Sequence, residues 1–515
     1  MTGNLIGLLP FIPVFAAFLL PLIYMASKKR LVVMYYTVIA VTIVLVLSVL
    51  VAIEAYRANN PLVFMAGGWP APIGIIYTVD RFTAALGVVS TVVIAAIALY
   101  SVSYIVDDGY PWYSILLLGV TSGILGVTYT GDMFNLFVML EVTGISAYSL
   151  VMYYRHRALS IVAGLKYAFI GSLGTTLYLL AMGLVYSFYG TLNFVDFSLR
   201  LVVQPDFMHA LAYGIIMVLA LWAFSIKSGV FPNHFWLPDA HPAAPTPISA
   251  LLSGLVVNVG VIGLYKFVYI ASWNTPVDPL NSARRLVLLV TVVMGALSAL
   301  FGALLMGIQR DVKRLIAYST VMNLGFLFMG IGCGTSRGLQ ATLYYIAAHS
   351  LAKATLFLSV GVLIKATGTR ELEKLSGLGL KYPIAGTALA VSTLALAGIP
   401  PLPGFLAKLL LYEALFEYNV ILSMMMVIAS AIGLLSYMKL FYTILLGVPV
   451  VKIVKIDMKA AYVSLVVLTL LVTAFGVAFL FSPQLLQDLF KRAADQVSVG
   501  IESYIEYVNA TLTRP

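Results

Sequence analysis

The sequence predicts an all-α polytopic membrane protein of about fourteen transmembrane helices, with two inverted five-helix repeats that each contain a proline-broken helix. Three observations lead to this prediction. The 515 residues are 62% hydrophobic and only 10% charged, whereas soluble domains carry roughly a quarter charged residues. Apolar windows of about twenty residues, the length that crosses a bilayer, recur from end to end. Two of these apolar segments are interrupted by prolines beside a lysine.

The spans follow from segment length and hydropathy. The first, 4–25, has no basic segment before it and is followed by Lys28, Lys29 and Arg30. A signal peptide has the reverse order, so we expect a retained helix. The other spans are predicted at 31–53, 80–105, 112–129, 131–152, 161–188, 208–229, 246–270, 286–308, 313–333, 338–364, 383–411, 421–446 and 460–481.

The loops between these spans alternate in charge. Basic residues gather in every second loop, at Lys28, Lys29, Arg30, Arg155, Arg157, Arg310, Lys313, Arg314, Lys365, Arg370, Lys374, Lys381, Lys452, Lys455 and Lys459. The positive-inside rule places these loops in the cytoplasm. We therefore expect a multi-pass protein of the plasma membrane with both termini outside.

Composition also excludes several functions. The net charge of +10 lies in short loops, so it reflects membrane topology and does not indicate nucleic acid binding. The single cysteine, Cys333, excludes a disulfide framework and a thiolate-ligated iron–sulfur cluster, and no G-x-G-x-x-G motif opens a helix after a strand. We expect no cofactor, no metal site and no redox chemistry of the chain's own.

The whole chain, 1–515, is predicted to be one membrane domain. Its first repeat is placed at 112–270 and its second at 286–446. Glycines and prolines in 54–79 predict an outer turn or short hairpin. The tail, 483–515, is charged and weakly amphipathic, so we expect it on the outer surface or against a partner.

Four ionisable residues deep inside predicted spans are the first functional candidates, because a charge there costs several kcal/mol unless it is paired or hydrated. Glu141 has about two apolar turns on each side, and Lys227 precedes a proline cluster. A structural carboxylate and a snorkelling lysine are the alternatives for these two. His349 and Lys353 are four residues apart, so one helical face carries both.

The fifth candidate, Lys408, ends the stretch LAGIPPLPGFLAK, 396–408. Residues 227–247 have the same design of an apolar run, clustered prolines and a lysine. Broken backbone is tolerated in a bilayer only where protein or water satisfies the freed groups. The breaks are about 170 residues apart, roughly five spans. Because five is an odd number, the second repeat has the opposite orientation in the membrane. We predict that the breaks admit water and that the lysine holds or passes a proton.

At these residues the chain resembles the antiporter-like subunits of respiratory complex I, Mrp-type Na+/H+ antiporters, and archaeal membrane-bound hydrogenases or sulfur reductases. The matching segments are FVMLEVTGISAYSL, KSGVFPNHFWLPDAHPAAPTPISALL, RDVKRLIAYSTVMNLG, AHSLAKATLF and GIPPLPGFLAK. The resemblance covers nearly the whole chain. It implies that Glu141 and Lys227 form a coupled pair in a first half-channel, and that His349, Lys353 and Lys408 continue a hydrated axis.

The chain departs from this family at one position. Many relatives have a lysine on the eighth helix where this sequence has Asn258, which cannot carry a transferable proton. Lys266 is expected at the membrane edge and would be a poor replacement, so water or His241 would have to bridge the gap. Asp239 and His234 are further auxiliary candidates. The tail is too short for the lateral helix of some complex I subunits, which favours the branch of the Mrp D-type and hydrogenase H-type proteins.

The predicted function is a proton or Na+/H+ translocating subunit of a multisubunit respiratory complex such as a membrane-bound hydrogenase. The expected partners are other membrane subunits, the lipid bilayer, protons and Na+. A stand-alone Mrp-type antiporter subunit is the first alternative. A transporter of an organic solute would need a substrate pocket and not titratable groups in series, and a structural scaffold would not need them at all. The neighbouring genes would separate the two leading hypotheses.

Overall fold

The computed structural model describes residues 3–203, 207–272, 278–451 and 456–512; the predicted cytoplasmic lysines Lys452 and Lys455 lie outside them. Helices dominate these residues and are numbered here in chain order. They are α1 Gly3–Ser27, α2 Arg30–Arg57, α3 Arg81–Tyr104, α4 Tyr110–Tyr129, α5 Met133–Val151, α6 Ala158–Tyr189, α7 Phe194–Val203, α8 Phe207–Ser228, α9 Leu237–Ala243, α10 Thr246–Leu251, α11 Asn258–Tyr265, α12 Leu280–Gly307, α13 Val312–Gly332, α14 Ser336–Thr367, α15 Pro383–Ala397, α16 Pro403–Tyr418, α17 Val420–Phe441, α18 Lys459–Phe481, α19 Pro483–Gln496 and α20 Ile501–Leu512. Single π-helical turns follow three of them, at Leu252–Val256, Lys266–Ala271 and Tyr442–Leu446, and short 3₁₀ turns lie at Ala66–Gly68, Leu372–Leu375 and Leu378–Leu380.

Within the described residues, thirteen helices are long and apolar enough to cross a bilayer. The number is fourteen if Leu372–Leu380 and Pro383–Ala397, between which the chain bends by 110°, form one span. This confirms the prediction of about fourteen spans. The predicted span 383–411 consists of α15 and α16, and neither reaches the roughly twenty residues that cross a bilayer alone.

Both predicted proline breaks are present. The first separates α8 from α10 and contains only the short α9. At the second, Gly398 follows α15 with φ of +86°, a left-handed conformation that favours glycine, and α16 begins at Pro403. Helices α15 and α16 are in close contact at this break, because a Cβ at Gly404 would collide with the carbonyl oxygen of Ala395.

A single long helix forms the centre of the bundle. The 32 residues of α14 pack against α3, α10, α13, α15, α16, α18 and α19. Its apolar window is entirely buried within the chain, as is that of Thr246–Ala271. Side chains on these two spans are therefore held away from lipid.

The loop 54–79 forms a hairpin, as predicted, in which β1 Leu62–Met65 pairs antiparallel with β2 Ile76–Val79. The prediction for the tail was wrong in one respect. Its helices α19 and α20 are amphipathic and pack on the bundle with their apolar faces. A turn at 497–500 separates the helices, so no single helical period runs through the tail sequence.

Candidate functional site

Lys227 lies at the end of α8 and is buried. Its Nζ donates to the hydroxyl of Tyr148 at 3.3 Å. Glu141, two turns before Tyr148 on α5, interacts electrostatically with both residues, and its Oε1 is buried without a hydrogen-bond partner in the described part of the chain. The two charged residues thus influence each other without a direct ion pair among the described residues, and Tyr148 is hydrogen-bonded to the lysine.

Sequence reasoning missed Tyr148. The chain has 31 tyrosines, and the signal that could have distinguished this one is its position seven residues after Glu141, on the same helical face. Gly171 of α6 leaves room for the Tyr148 hydroxyl, because a Cβ there would overlap it. Packing by α6 thus fixes the position of the hydroxyl that Lys227 contacts.

Asn258 faces α14. Its Nδ2 donates to the carbonyl oxygen of Gly254 at 2.7 Å and to the hydroxyl of Ser350 at 3.1 Å. Its Oδ1 is buried and has no hydrogen-bond partner among the described residues. Because Ser350 directly follows His349, the amide lies next to the helix that carries the second half of the predicted row.

His349 and Lys353 are both buried on α14. Lys353 Nζ donates to the carbonyl oxygen of Ile316 at 3.2 Å and to the Ser319 hydroxyl in a short contact. Both ring nitrogens of His349 lack hydrogen-bond partners in the part of the chain that is described. An imidazole buried in this way has free sites for a proton and for water.

A small cavity lies beside His349, between α14 and the second break. Its volume is about 10 Å³, which is roughly enough for one water molecule. Asn323 and Tyr345 supply polar groups to its wall, and Leu396 and Gly404 supply the broken helix. The break and the imidazole therefore share a space in which a water can bind polar groups.

Lys408 of α16 is partly buried and reaches back across this break. Its Nζ donates to the carbonyl oxygen of Ala397 at 2.9 Å, an acceptor freed by the end of α15. A Cβ at Gly398 would lie 3.0 Å from Lys408 Cδ, so glycine lets the lysine stem pass. Lys408 thus donates to a carbonyl oxygen that the break leaves without a helical partner.

At the first break, the lysine that donates to backbone carbonyl oxygens comes from another helix, α13. Lys313, which the sequence places among loop residues, is buried, and its Nζ donates to the carbonyl oxygen of Ala244 at 2.8 Å and to the Ser249 hydroxyl at 3.1 Å. His241 is buried between charges of Lys313 and Lys353, and both its ring nitrogens lack hydrogen-bond partners in the described ranges. Sequence reasoning missed Lys313 because a lysine at the start of a predicted span is usually exposed to solvent.

The two remaining auxiliary candidates lie at the same end of the bundle as this break. Asp239 binds Lys166 Nζ at 2.7 Å and Arg314 Nη2 at 2.6 Å, and it is about one-third exposed. The His234 ring stacks on Phe231 with centroids 5.7 Å apart. Asp239 thus belongs to a surface charge cluster.

Lys266, which the sequence places near the end of its span, is covered by protein. Lys266 is buried, and its Nζ donates to the carbonyl oxygen of Thr130 at 2.7 Å. The sequence did not predict this burial, because α3, α4, α7 and the tail cover this end of the helix, and such coverage cannot be deduced from a position near a span end.

Comparisons with known proteins show what the chain is similar to. The family model for NADH:quinone oxidoreductase/Mrp antiporter membrane segments matches residues 130–433. The D-type subunit of the Na+/H+ antiporter of Alkalihalophilus pseudofirmus is 32% identical over 413 residues, which cover 78% of this chain and 79% of that protein. The N-type subunit of the NADH-quinone oxidoreductase of Desulforudis audaxviator is 31% identical over 417 residues, covering 79% of each.

Two solved structures share the fold over almost the whole length. A chain of the membrane-bound sulfane sulfur reductase, an archaeal respiratory membrane complex, superposes with a TM-score of 0.88 at 27% identity, covering 98% of this chain and 99% of that chain. A chain of the Mrp complex from Dietzia sp. DQ12-45-1b superposes with a TM-score of 0.86 at 24% identity, covering 99% of both. The family model matches more than half of the chain, and this protein therefore belongs to the NADH:quinone oxidoreductase/Mrp antiporter family of membrane proteins.

Proposed function

We propose that this chain carries protons through the membrane as one subunit of a larger complex in the plasma membrane, with both termini outside. The observation that carries the proposal is a row of titratable residues, of which Lys227, His349 and Lys353 are buried and Lys408 is partly buried. Charges in a membrane interior are costly and serve ion pathways in most cases. An organic solute would require a substrate pocket instead.

The coupling step uses the Glu141–Lys227 pair. The Glu141 carboxylate stabilises a charged Lys227, so a movement that separates them makes it easier for the lysine to lose its proton. Tyr148 accepts a hydrogen bond from Lys227, and its hydroxyl can accept or relay a proton during this change. A partner protein that moves α5 would thus drive proton release along the row.

We place the halves of this pathway in two inverted repeats, 112–270 and 286–446. Each would contain one proline break and one end of the row, and an odd number of spans between the breaks supports inversion. The repeats would present their breaks to opposite sides of the membrane. A proton would enter at one break and leave at the other.

Two driving forces have separate support. The sulfane sulfur reductase likeness, at 27% identity over 98% of the chain, favours a redox-driven complex, which includes hydrogenase-type assemblies. The relative from the Na+/H+ antiporter of Alkalihalophilus pseudofirmus favours exchange of Na+ for protons. Proton uptake by vesicles with and without Na+ separates the two, because exchange requires Na+ on one side.

The proposal predicts that His349→Gln lowers proton transport by at least about tenfold, because a positioned acid–base group contributes 10²–10⁴-fold to proton transfer. Glutamine nearly preserves the shape of the side chain but cannot carry the proton. The rate is measured with a pH-sensitive dye in vesicles that contain the assembled complex. His156→Gln, at an exposed loop residue, is the control and should transport normally. Unchanged transport in His349→Gln would remove the imidazole from the pathway.

Asn258→Lys is expected to assemble and to transport, with a changed dependence of rate on pH. A lysine ammonium there can donate to the Gly254 carbonyl oxygen and the Ser350 hydroxyl, which now accept from Asn258. The pH profile of transport checks this expectation. Val259→Lys is the matched control, because Val259 is buried and apolar and its lysine variant should fail to assemble. If both variants fail, the site of Asn258 cannot hold a charge.

A further inference from the structure

A second buried pair of opposite charges lies away from this row. Asp80, 2% exposed, precedes α3, and Lys266, 3% exposed, begins the last turn of the span Thr246–Ala271. Charged groups reach a protein interior only when other groups compensate for the lost hydration. Among the described residues, no hydrogen bond or ion pair joins Asp80 or Lys266 to the row from Lys227 to Lys408, so their burial requires its own explanation.

The protein itself satisfies these charges only in part. Asp80 Oδ1 accepts from the Thr83 amide at 2.7 Å, and Oδ2 accepts from the Tyr265 hydroxyl at 3.3 Å. Lys266 makes one hydrogen bond within the described residues, to the Thr130 carbonyl oxygen at 2.7 Å. An ammonium has three donors, so two remain for a group other than these protein atoms.

A small cavity joins the two charges. Its volume of about 10 Å³ is roughly what one water centre needs. Asp80 and Lys266 both line it, together with Thr78, Asn193 and Tyr504. The two charges attract each other but form no direct ion pair in the described part of the chain. A water that accepts from Lys266 and donates to Asp80 fits this arrangement.

The backbone at Lys266 also departs from regular α-helix. The π-helical turn Lys266–Ala271 directly follows α11, and such turns inside α-helices occur frequently at functional sites. Tyr504 of the tail helix α20 lines the cavity, and Gln496 Oε1 accepts from the amide of Arg81 at 3.0 Å. The tail therefore covers the cavity at the end of the bundle where α3 begins.

The cavity lies along the helix from the position where the row lacks a lysine. Lys266 follows Asn258 by eight residues, about 12 Å along a helix. Thr130, which directly follows α4, is bridged to Tyr77 of the hairpin, so the Thr130 carbonyl that binds Lys266 lies at the hairpin end of the bundle. The pair is thus placed between the interior near Asn258 and the surface under the tail.

We propose that Asp80, Lys266 and one water form a proton-transfer group between the interior near Asn258 and this end of the bundle. The proposal rests on the proposed proton transport. The Lys266 ammonium gives a proton to the water, and the water gives one of its protons to the Asp80 carboxylate. Both side chains are then neutral. Asp80 releases its proton toward the surface, and Lys266 takes another from the interior.

The surroundings of Asp80 suit a carboxyl that holds a proton for part of the cycle. Burial raises the pKa of the Asp80 carboxyl, while the Thr83 amide and the charge of Lys266 oppose this shift. The other ionisable groups that interact with it are Tyr56, Tyr265 and Tyr504.

Asp80→Asn tests the proposal in vesicles that contain the assembled complex. Asparagine keeps the helix N-cap but cannot take up a proton, so transport should fall at least about tenfold with an unchanged amount of complex. Asp132→Asn is the matched control. Asp132 is buried, caps α5 through the Asn135 amide at 2.7 Å and does not line the cavity, so its variant should transport normally.

Lys266→Met and Lys266→Arg separate a proton carrier from a fixed charge. Arginine keeps the charge but does not release a proton near neutral pH, so both variants should lose transport to the same extent. Wild-type rates in Asp80→Asn or Lys266→Arg overturn the proposal, as does an equal loss in Asp132→Asn. If Lys266→Arg does not assemble, Asp80→Asn decides. Normal transport in Asp80→Asn with a loss in His349→Gln leaves the proposed function standing, whereas no transport by the unaltered complex contradicts that function itself.

Discussion

Lys408→Ala is expected to reduce proton transport by about a hundredfold or more, the scale of a positioned proton-transfer group, while the complex still assembles. The variant leaves the Ala397 carbonyl oxygen without the donor that lies 2.9 Å away. One lost hydrogen bond costs roughly 1 kcal/mol, too little to unfold a bundle of this size. Dye-monitored transport and the yield of purified complex measure the two effects separately.

Lys408→Arg sharpens the same test. Arginine can still donate to the Ala397 carbonyl oxygen, but it keeps its proton near neutral pH, so transport should remain low. Lys439→Ala is the control, because Lys439 also donates to helix-end carbonyl oxygens, those of Gly307 and Gln309, but at an exposed position. Normal pumping by Lys408→Arg would reduce Lys408 to a fixed charge that holds the break.

Glu141→Ala and Lys227→Ala are each expected to abolish transport, and the double variant should be little worse than either single one. Residues that act as one unit show this non-additivity. Both charges act on each other across the Tyr148 contact, so removing one leaves the other without its function. Transport rates of the three variants in matched vesicles give the coupling directly.

Glu413→Ala, at an exposed glutamate of α16, controls for the loss of a carboxylate and should behave as wild type. Two results would contradict the pair. The first is wild-type transport in Glu141→Ala, and the second is a double variant whose loss equals the sum of the single losses in free energy. Tyr148→Phe adds a third arm, since it removes only the hydroxyl that Lys227 contacts.

Stereochemistry made the breaks predictable. Proline lacks an amide donor and clashes with the preceding turn, so Pro400, Pro401 and Pro403 cannot continue α15. The helical period likewise placed His349 and Lys353 on one face. These predictions depend only on the local chain, and the structure confirms the breaks at both 229–245 and 398–402.

Tertiary packing decided what the sequence could not. Lys266 and Lys313 were placed at a membrane edge and in a loop, because each lies near the end of an apolar segment. The structure buries both under neighbouring elements and gives their ammonium groups carbonyl partners. Hydropathy measures the depth of a residue along its own helix. It does not reveal which helices, loops or tail segments cover that residue from the side.

The enclosure of α14 has a consequence for how this sequence can drift during evolution. Its apolar window and that of Thr246–Ala271 are completely buried, whereas the windows of Arg30–Arg57 and Lys459–Phe481 are only 33% and 28% buried. A substitution on the enclosed spans must fit several neighbours at once, but one on the outer spans needs only to stay apolar. Lineages should therefore diverge first along the rim of the bundle. The two inner spans should change only through compensated pairs, which ties the fate of Asn258 to that of Ser350.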